Sequence, residues 1–189
     1  MESIRRFRMF YRLRGWLMVP PIAFALFSTR WETENHLLSF GLGGIVFAVG
    51  LAVRIWAQTH LHYRLKIKKA LTIAGPYQYL RNPIYVGNTL IIASCCLMAE
   101  MPWLAALMML YCAVIYNFVV RHEEARLTRK FGEAYLEYTR RVPRWIPRFG
   151  PAAGAHKGLV RKFVAPSVAA EWHNLLLPLL FVIKELIGV

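Results

Sequence analysis

The chain has 189 residues, 57% of them hydrophobic, and carries a formal charge of +14 with a pI near 10.2. In a soluble protein such charge would point to nucleic acid. Here it accompanies long apolar runs, which make a membrane protein the better class and exclude nucleic acid as the expected partner. All ten acidic residues are Glu, which argues against Asp-dependent metal or phosphotransfer chemistry, and no metal site is expected.

Residues 1–14 place Arg5, Arg6, Arg8, Arg12 and Arg14 beside Phe7, Phe10 and Tyr11, a basic, aromatic approach to a bilayer. Pro20-Pro21 follow without a small-residue cleavage site, so the start does not read as a cleaved signal peptide. Residues 16–27 are apolar but short, with a kink expected at the two prolines. Residues 28–36 form a polar loop. Residues 37–57 have the length a spanning helix needs. Gly41, Gly43, Gly44 and Gly50 permit close helix packing there, and Arg54 is placed to snorkel to the surface. After a basic stretch, 58–69, residues 85–99 and 103–120 form a helical hairpin that turns at Met101-Pro102.

Residues 121–141 are expected to form a charged amphipathic helix, with Leu127, Phe131, Tyr135 and Tyr138 at helical spacing. Pro143, Pro147 and Pro151 end it. A Gly/Ala/basic linker, 148–170, leads to a last apolar helix, 172–187, interrupted by Pro178. Cys95, Cys96 and Cys112 lie inside apolar segments and read as small buried hydrophobes. The expected fold is therefore an all-α integral membrane protein. It would have about five transmembrane or membrane-embedded helices and a cytoplasmic C-terminal catalytic region. One domain would span 1–189: N-terminal helices in 1–57, a catalytic core in 58–147, and a linker with a C-terminal membrane helix in 148–189.

All but three of the 24 Lys and Arg fall in 1–14, 57–84 and 121–171. The positive-inside rule puts those segments in the cytoplasm, with a bacterial inner membrane as the expected location and membrane lipids as partners. Arg140-Arg141-Val142-Pro143 suits lipid headgroups.

The stretch 75–85 is the polar centre of the chain. Gly75-Pro76 signals a turn. Asn82-Pro83 signals a helix start, with Asn at the N-cap and Pro at the first helical position. A helix N-terminus suits an anion, and Arg81 adds a full charge. The hairpin brings Arg121-His122-Glu123-Glu124, at the end of its second helix, beside Asn82–Tyr85. Donors for a carboxylate next to an acceptor for an ammonium would hold an amino-acid zwitterion, the group that S-adenosylmethionine carries. A plainer reading stands beside this one: an interfacial Tyr/Arg loop, and glutamates that pair with Arg121 and Arg126. His60 and His62, two residues apart, do not share a helix face and make a poor metal pair.

Two blocks carry a family resemblance. One is Gly75-Pro76-Tyr77 with Arg81-Asn82-Pro83-x-Tyr85-x-Gly87. The other is Glu123-Glu124-x-x-Leu127-x-x-x-Phe131-Gly132-x-x-Tyr135-x-x-Tyr138-x-x-x-Val142-Pro143-Arg144. Their order, and their separation by one membrane hairpin, resemble the isoprenylcysteine carboxyl methyltransferases and their bacterial relatives, which are related to the phospholipid methyltransferases. The resemblance covers roughly residues 62–147 and implies an S-adenosyl-L-methionine-dependent membrane methyltransferase with a lipophilic or small-molecule acceptor. By position, it implies cofactor contacts from His62, Leu71, Thr72, Tyr77, Asn82, Pro83, Ile84, Tyr85 and Glu123 or Glu124, with Glu123 the better match. Arg121, or Arg81, would orient the acceptor.

The chain departs from the eukaryotic enzymes in having Asn82 where they have a histidine, and Val119 where they have an arginine used in substrate handling. Rival functions are phospholipid amine N-methylation with His122 or His62 as base, an NADPH-dependent sterol-type reductase, and a non-catalytic membrane scaffold.

Overall fold

A computed structural model describes residues 19–28, 32–33, 35–61, 70–150, 152 and 163–187. The described residues form helices and turns, with no strand among them. In chain order they are α1 (Val19–Phe27), α2 (His36–Leu61), a 3₁₀ turn (Gly75–Gln78), α3 (Pro83–Met98), α4 (Pro102–Phe131), α5 (Glu133–Arg141), α6 (Val164–Ala170), a second 3₁₀ turn (Trp172–Leu175) and α7 (Leu176–Ile187).

The bundle is arranged around α3. This helix has only 16 residues, and α2, α4, α1 and α7 all pack on it. Its buried residues, among them Tyr85, Ile91, Ile92, Cys95, Cys96 and Met98, face neighbours on several sides. The approach of α2 and α3 depends on two glycines. A Cβ at Gly50 would lie 3.0 Å from the Gly87 carbonyl, and one at Gly87 would lie 2.9 Å from the Gly50 carbonyl. Small residues that let backbones meet are the usual basis of helix packing in lipid.

Two helices, α2 and α4, are long and apolar enough to cross a membrane; a third span results if α6 and residues 172–187, bent by 52°, are taken as one. Only 17% of the most apolar part of α2 is buried inside the protein, and Leu37, Leu38, Leu42, Ile45 and Val49 are exposed along it. In water such a surface would be costly; in a bilayer it is the lipid-facing surface. The protein is an all-α integral membrane protein.

Several local expectations are corrected. The charged helix expected to begin at residue 121 continues the membrane helix without a break. The break falls at Gly132, whose φ of 55° lies in the left-handed region that glycine adopts readily. Pro20 and Pro21 lie at the edge of the described residues, and the segment on which the expected kink turns, 16–18, falls outside them. The interruption near the C-terminus lies at Glu171–Leu175, while Pro178 falls in the first turn of α7. Part of the expected linker is helical, as α6. Arg54 turns inward rather than snorkelling: its Nε and Nη2 donate to Glu171 Oε2 and Oε1 at 2.8 and 2.9 Å, tying α2 to the end of α6. The basic segment 1–14 lies outside the described residues.

Candidate active site

At one end of the bundle, the ends of α2 and α4, the start of α3 and the segment 71–82 enclose a cavity of about 660 Å³. It is lined by Leu71, Thr72, Tyr77, Arg81, Asn82, Pro83, Ile84, Tyr85, Glu123 and Glu124. Among the candidates read from the sequence, Arg121 is exposed on α4 and absent from this lining, and His62 lies outside the described residues. Arg54, Gln58, Asn88, Arg126, Lys130, Tyr135 and Tyr138 also line the cavity, none of them singled out for it beforehand. The two tyrosines had a signal in their helical spacing with Leu127 and Phe131. Arg54 and Asn88 had none, because they arrive through the α2–α3 contact.

The turn before α3 is held from both sides. Below it, the His60 ring is so close that a Cβ on Gly75 (φ 62°) would fall 2.6 Å from it. His60 Nδ1 lies 2.9 Å from the Trp56 carbonyl oxygen, so this histidine is part of the floor of the turn. Above it, α5 and the chain that follows bond repeatedly to the turn. Tyr138 Oη donates to the Tyr77 carbonyl at 2.8 Å. The Arg81 amide donates to Pro143 O at 2.9 Å, and the Arg148 amide donates to Tyr79 O at 3.0 Å. Asn82 stands just before α3 as expected but does not cap it with its side chain. Its Nδ2 donates instead to the Arg144 carbonyl at 3.2 Å. Tyr135, Tyr138 and Val142 form a second small core with Leu71, Ile73, Leu127 and Phe131.

The two glutamates have different partners. Glu124 lies between Arg81 Nη1 at 3.0 Å and Arg144 Nη2 at 2.6 Å, with Arg81 and Glu124 each 14% exposed. Its charge is spent on that triad, and so is most of the charge of Arg81. Glu123 Oε1 accepts a hydrogen bond from the Tyr85 hydroxyl at 2.8 Å. That bond orients the Glu123 carboxylate at the wall of the cavity.

Two buried polar atoms of the lining have no hydrogen-bond partner among the described residues: Thr72 Oγ1 and Arg81 Nε. Such orphans are costly in a folded protein unless a ligand or water satisfies them. Burial, reinforced by Glu124, pushes the Tyr135 hydroxyl up to about 12, with Arg81 and Arg144 opposing. Burial also raises Tyr77 and Tyr138. Tyr77, Tyr135 and Tyr138 are therefore neutral donors at physiological pH.

A helical membrane protein with a cavity at one end of its bundle, lined by glutamates, arginines and tyrosines, is the class that the geometry defines. Residues 38–134 match the phospholipid methyltransferase family, and the chain belongs to it, in keeping with the resemblance drawn from its motifs. The chain is 36% identical over 145 residues to the nickel-cobalt-cadmium resistance protein NccN of Alcaligenes xylosoxydans xylosoxydans, covering 73% of this chain and 65% of that protein. It is 31% identical over 170 residues to the cobalt-zinc-cadmium resistance protein CzcN of Cupriavidus metallidurans, covering 84% and 76%. It is 31% identical over 139 residues to the methanethiol S-methyltransferase of Crocosphaera subtropica, covering 72% and 44%. The match thus takes in just under two thirds of the first relative and less than half of the third. No solved structure matches the chain.

Proposed function

We propose that the protein transfers a methyl group from S-adenosyl-L-methionine to a lipophilic acceptor at the cytoplasmic face of a bacterial inner membrane. The observation that carries this reading is that Glu123 and the start of α3 line one cavity, with the orphaned Thr72 Oγ1 and Arg81 Nε in its wall. Membership of the family supports it.

The residues present fit the cofactor. Glu123, oriented by Tyr85, would hold the ammonium. The first turn of α3 and Arg81 Nε would hold the carboxylate. Leu71 and Thr72 would contact the adenosyl part. When bound, the cofactor supplies a methyl group on a sulfonium that leaves as a neutral thioether. The protein's part is to align the acceptor behind that methyl and to exclude water.

Of the cations in the lining, Arg54 is paired with Glu171 and Arg81 with Glu124, so the choice of acceptor is drawn from the relatives rather than from the charge of the cavity. The S-methyltransferase relative agrees with a thiol. The two relatives named for metal resistance suggest metal tolerance as the setting in which the activity serves the cell.

The test is calorimetric binding of S-adenosylhomocysteine to the detergent-solubilised full chain, with NADPH in parallel. Micromolar binding of the first alone is expected, followed by turnover in a screen of prenyl-cysteines, lipid amines and small thiols. Binding of NADPH alone would replace this reading with the reductase. Binding of neither, in folded protein, would leave a scaffold.

A further inference from the structure

At the end of the bundle away from the cavity, three ligand-bearing side chains from distant parts of the sequence converge. His36 is the first residue of α2, Glu100 lies in the turn between α3 and α4, and Glu185 is in the last turns of α7. Their nearest nitrogen and oxygen atoms all lie within 4.8 Å of one another. His36 Nδ1 is 2.8 Å from Glu100 Oε1 and 2.9 Å from Glu185 Oε1. A 26-residue helix such as α2 is about 39 Å long, so this cluster and the cavity lie at opposite ends of it.

We propose that His36, Glu100 and Glu185 form a binding site for a zinc-like divalent transition cation on the non-cytoplasmic side. Two independent observations support it. The first is the ligand set: one imidazole nitrogen and two carboxylate oxygens suit a tetrahedral Zn²⁺ site completed by water, whereas Mg²⁺ and Ca²⁺ require six or more oxygens. In such a site neighbouring ligand atoms are about 3.3 Å apart, given metal–ligand distances near 2.0 Å. The observed 2.8 and 2.9 Å need only a small expansion.

The second observation is Glu100 itself. Its side chain is 4% exposed, and its Oε1 has no hydrogen bond of acceptable geometry among the described residues even though His36 Nδ1 is close. One ring N–H cannot serve two carboxylate oxygens at once. A buried carboxylate oxygen aimed at an imidazole nitrogen without a proper hydrogen bond is better satisfied by a cation. Lys184, beside Glu185, is kept out of the cluster by bonds to Glu32 and to the Ala25 and Ser28 carbonyls. The His36 and Glu185 side chains are 61% and 45% exposed, so a cation can enter from solvent. Bound there, it would clamp the start of α2, the α3–α4 turn and the end of α7.

The test titrates Zn²⁺ into the solubilised full chain by calorimetry, with Co²⁺ absorption as a reporter of tetrahedral N/O ligation. One ion per chain is expected at this site. His36→Ala and Glu185→Gln should each weaken binding at least tenfold, while His173→Ala leaves it unchanged. S-adenosylhomocysteine binding should survive in all three as a check on folding. Absence of Zn²⁺ binding by the wild type, or equal binding by His36→Ala and Glu185→Gln, would overturn the site. Neither result bears on the methyltransferase reading, which the cofactor measurement judges separately.

Discussion

Tyr85 Oη donates to Glu123 Oε1 at 2.8 Å, joining the first turn of α3 to the far end of α4. The same bond orients the carboxylate proposed to receive an ammonium. A hydrogen bond to a charged group contributes about 1.5–3 kcal/mol. Glu123→Gln should therefore raise the Kd for S-adenosylhomocysteine at least about tenfold, measured by calorimetry. Tyr85→Phe should raise it less, because the carboxylate remains and loses only its orientation. Unchanged affinity in Glu123→Gln would remove this residue from the site.

Glu124 should behave in the opposite way, as a residue of stability. Replacing it with Gln leaves Arg81 and Arg144 facing each other without a counter-charge. Loss of one member of a buried ion pair costs about 3–5 kcal/mol, and the partial exposure of Arg144 brings the expected loss nearer about 2 kcal/mol. Denaturant unfolding in detergent reads this directly. Cofactor affinity, measured under conditions where the variant is folded, should fall less than in Glu123→Gln.

The α2–α3 contact predicts a sharp contrast between glycines. A methyl at Gly87 would meet Arg54 Cγ at 2.6 Å and the Gly50 carbonyl at 2.9 Å, while one at Gly44 meets nothing within 4 Å. Overpacking of this kind costs about 1–3 kcal/mol. Gly87→Ala should lower the melting temperature and, by displacing Arg54, the affinity for the cofactor. Gly44→Ala should change neither.

The buried phenols make the protein sensitive to alkali. An unfolded tyrosine ionises near 10, whereas Tyr135 in the fold is pushed up to about 12. Below about pH 10 both states are protonated and the shift has no effect. Between about 10 and 12 the unfolded chain loses a proton that the native state keeps, so rising pH favours unfolding. Phenolate absorbance of the folded protein should therefore lag behind that of the denatured chain, and stability should decline from about pH 10 upward. Tyr135→Phe should reduce that decline.

Much of the fold was legible because membrane helices have clear length and composition. The hairpin and its turn at Met101-Pro102 follow from apolar runs and a proline, and the closeness of Asn82–Tyr85 to Glu123 follows from the hairpin alone. What the sequence hid depends on tertiary contacts. Arg54 reads as a snorkelling end residue until its partner is seen to be Glu171, 117 positions away. Arg81 reads as a free cation until Glu124 is found beside it. Asn82 reads as a cap, but its amide serves a carbonyl 62 residues later. Arg121, charged and one helical step from Glu124, points elsewhere, because only one face of α4 meets the cavity. His36, Glu100 and Glu185 share no local spacing that would bring them to notice.

The bonds that splint the Gly75–Gln78 turn also impose an order of events during synthesis. Tyr77 and Asn82 find their partners in Tyr138 and Arg144, 61 and 62 residues downstream. While the hairpin is being threaded into the bilayer, those partners have yet to be made, and the turn must wait at the membrane surface with its carbonyls in water. The pocket is therefore a late product of translation, closed only when the ribosome has released the segment beyond α5. A nascent chain arrested before residue 138 would lack the hydroxyl that donates to the Tyr77 carbonyl.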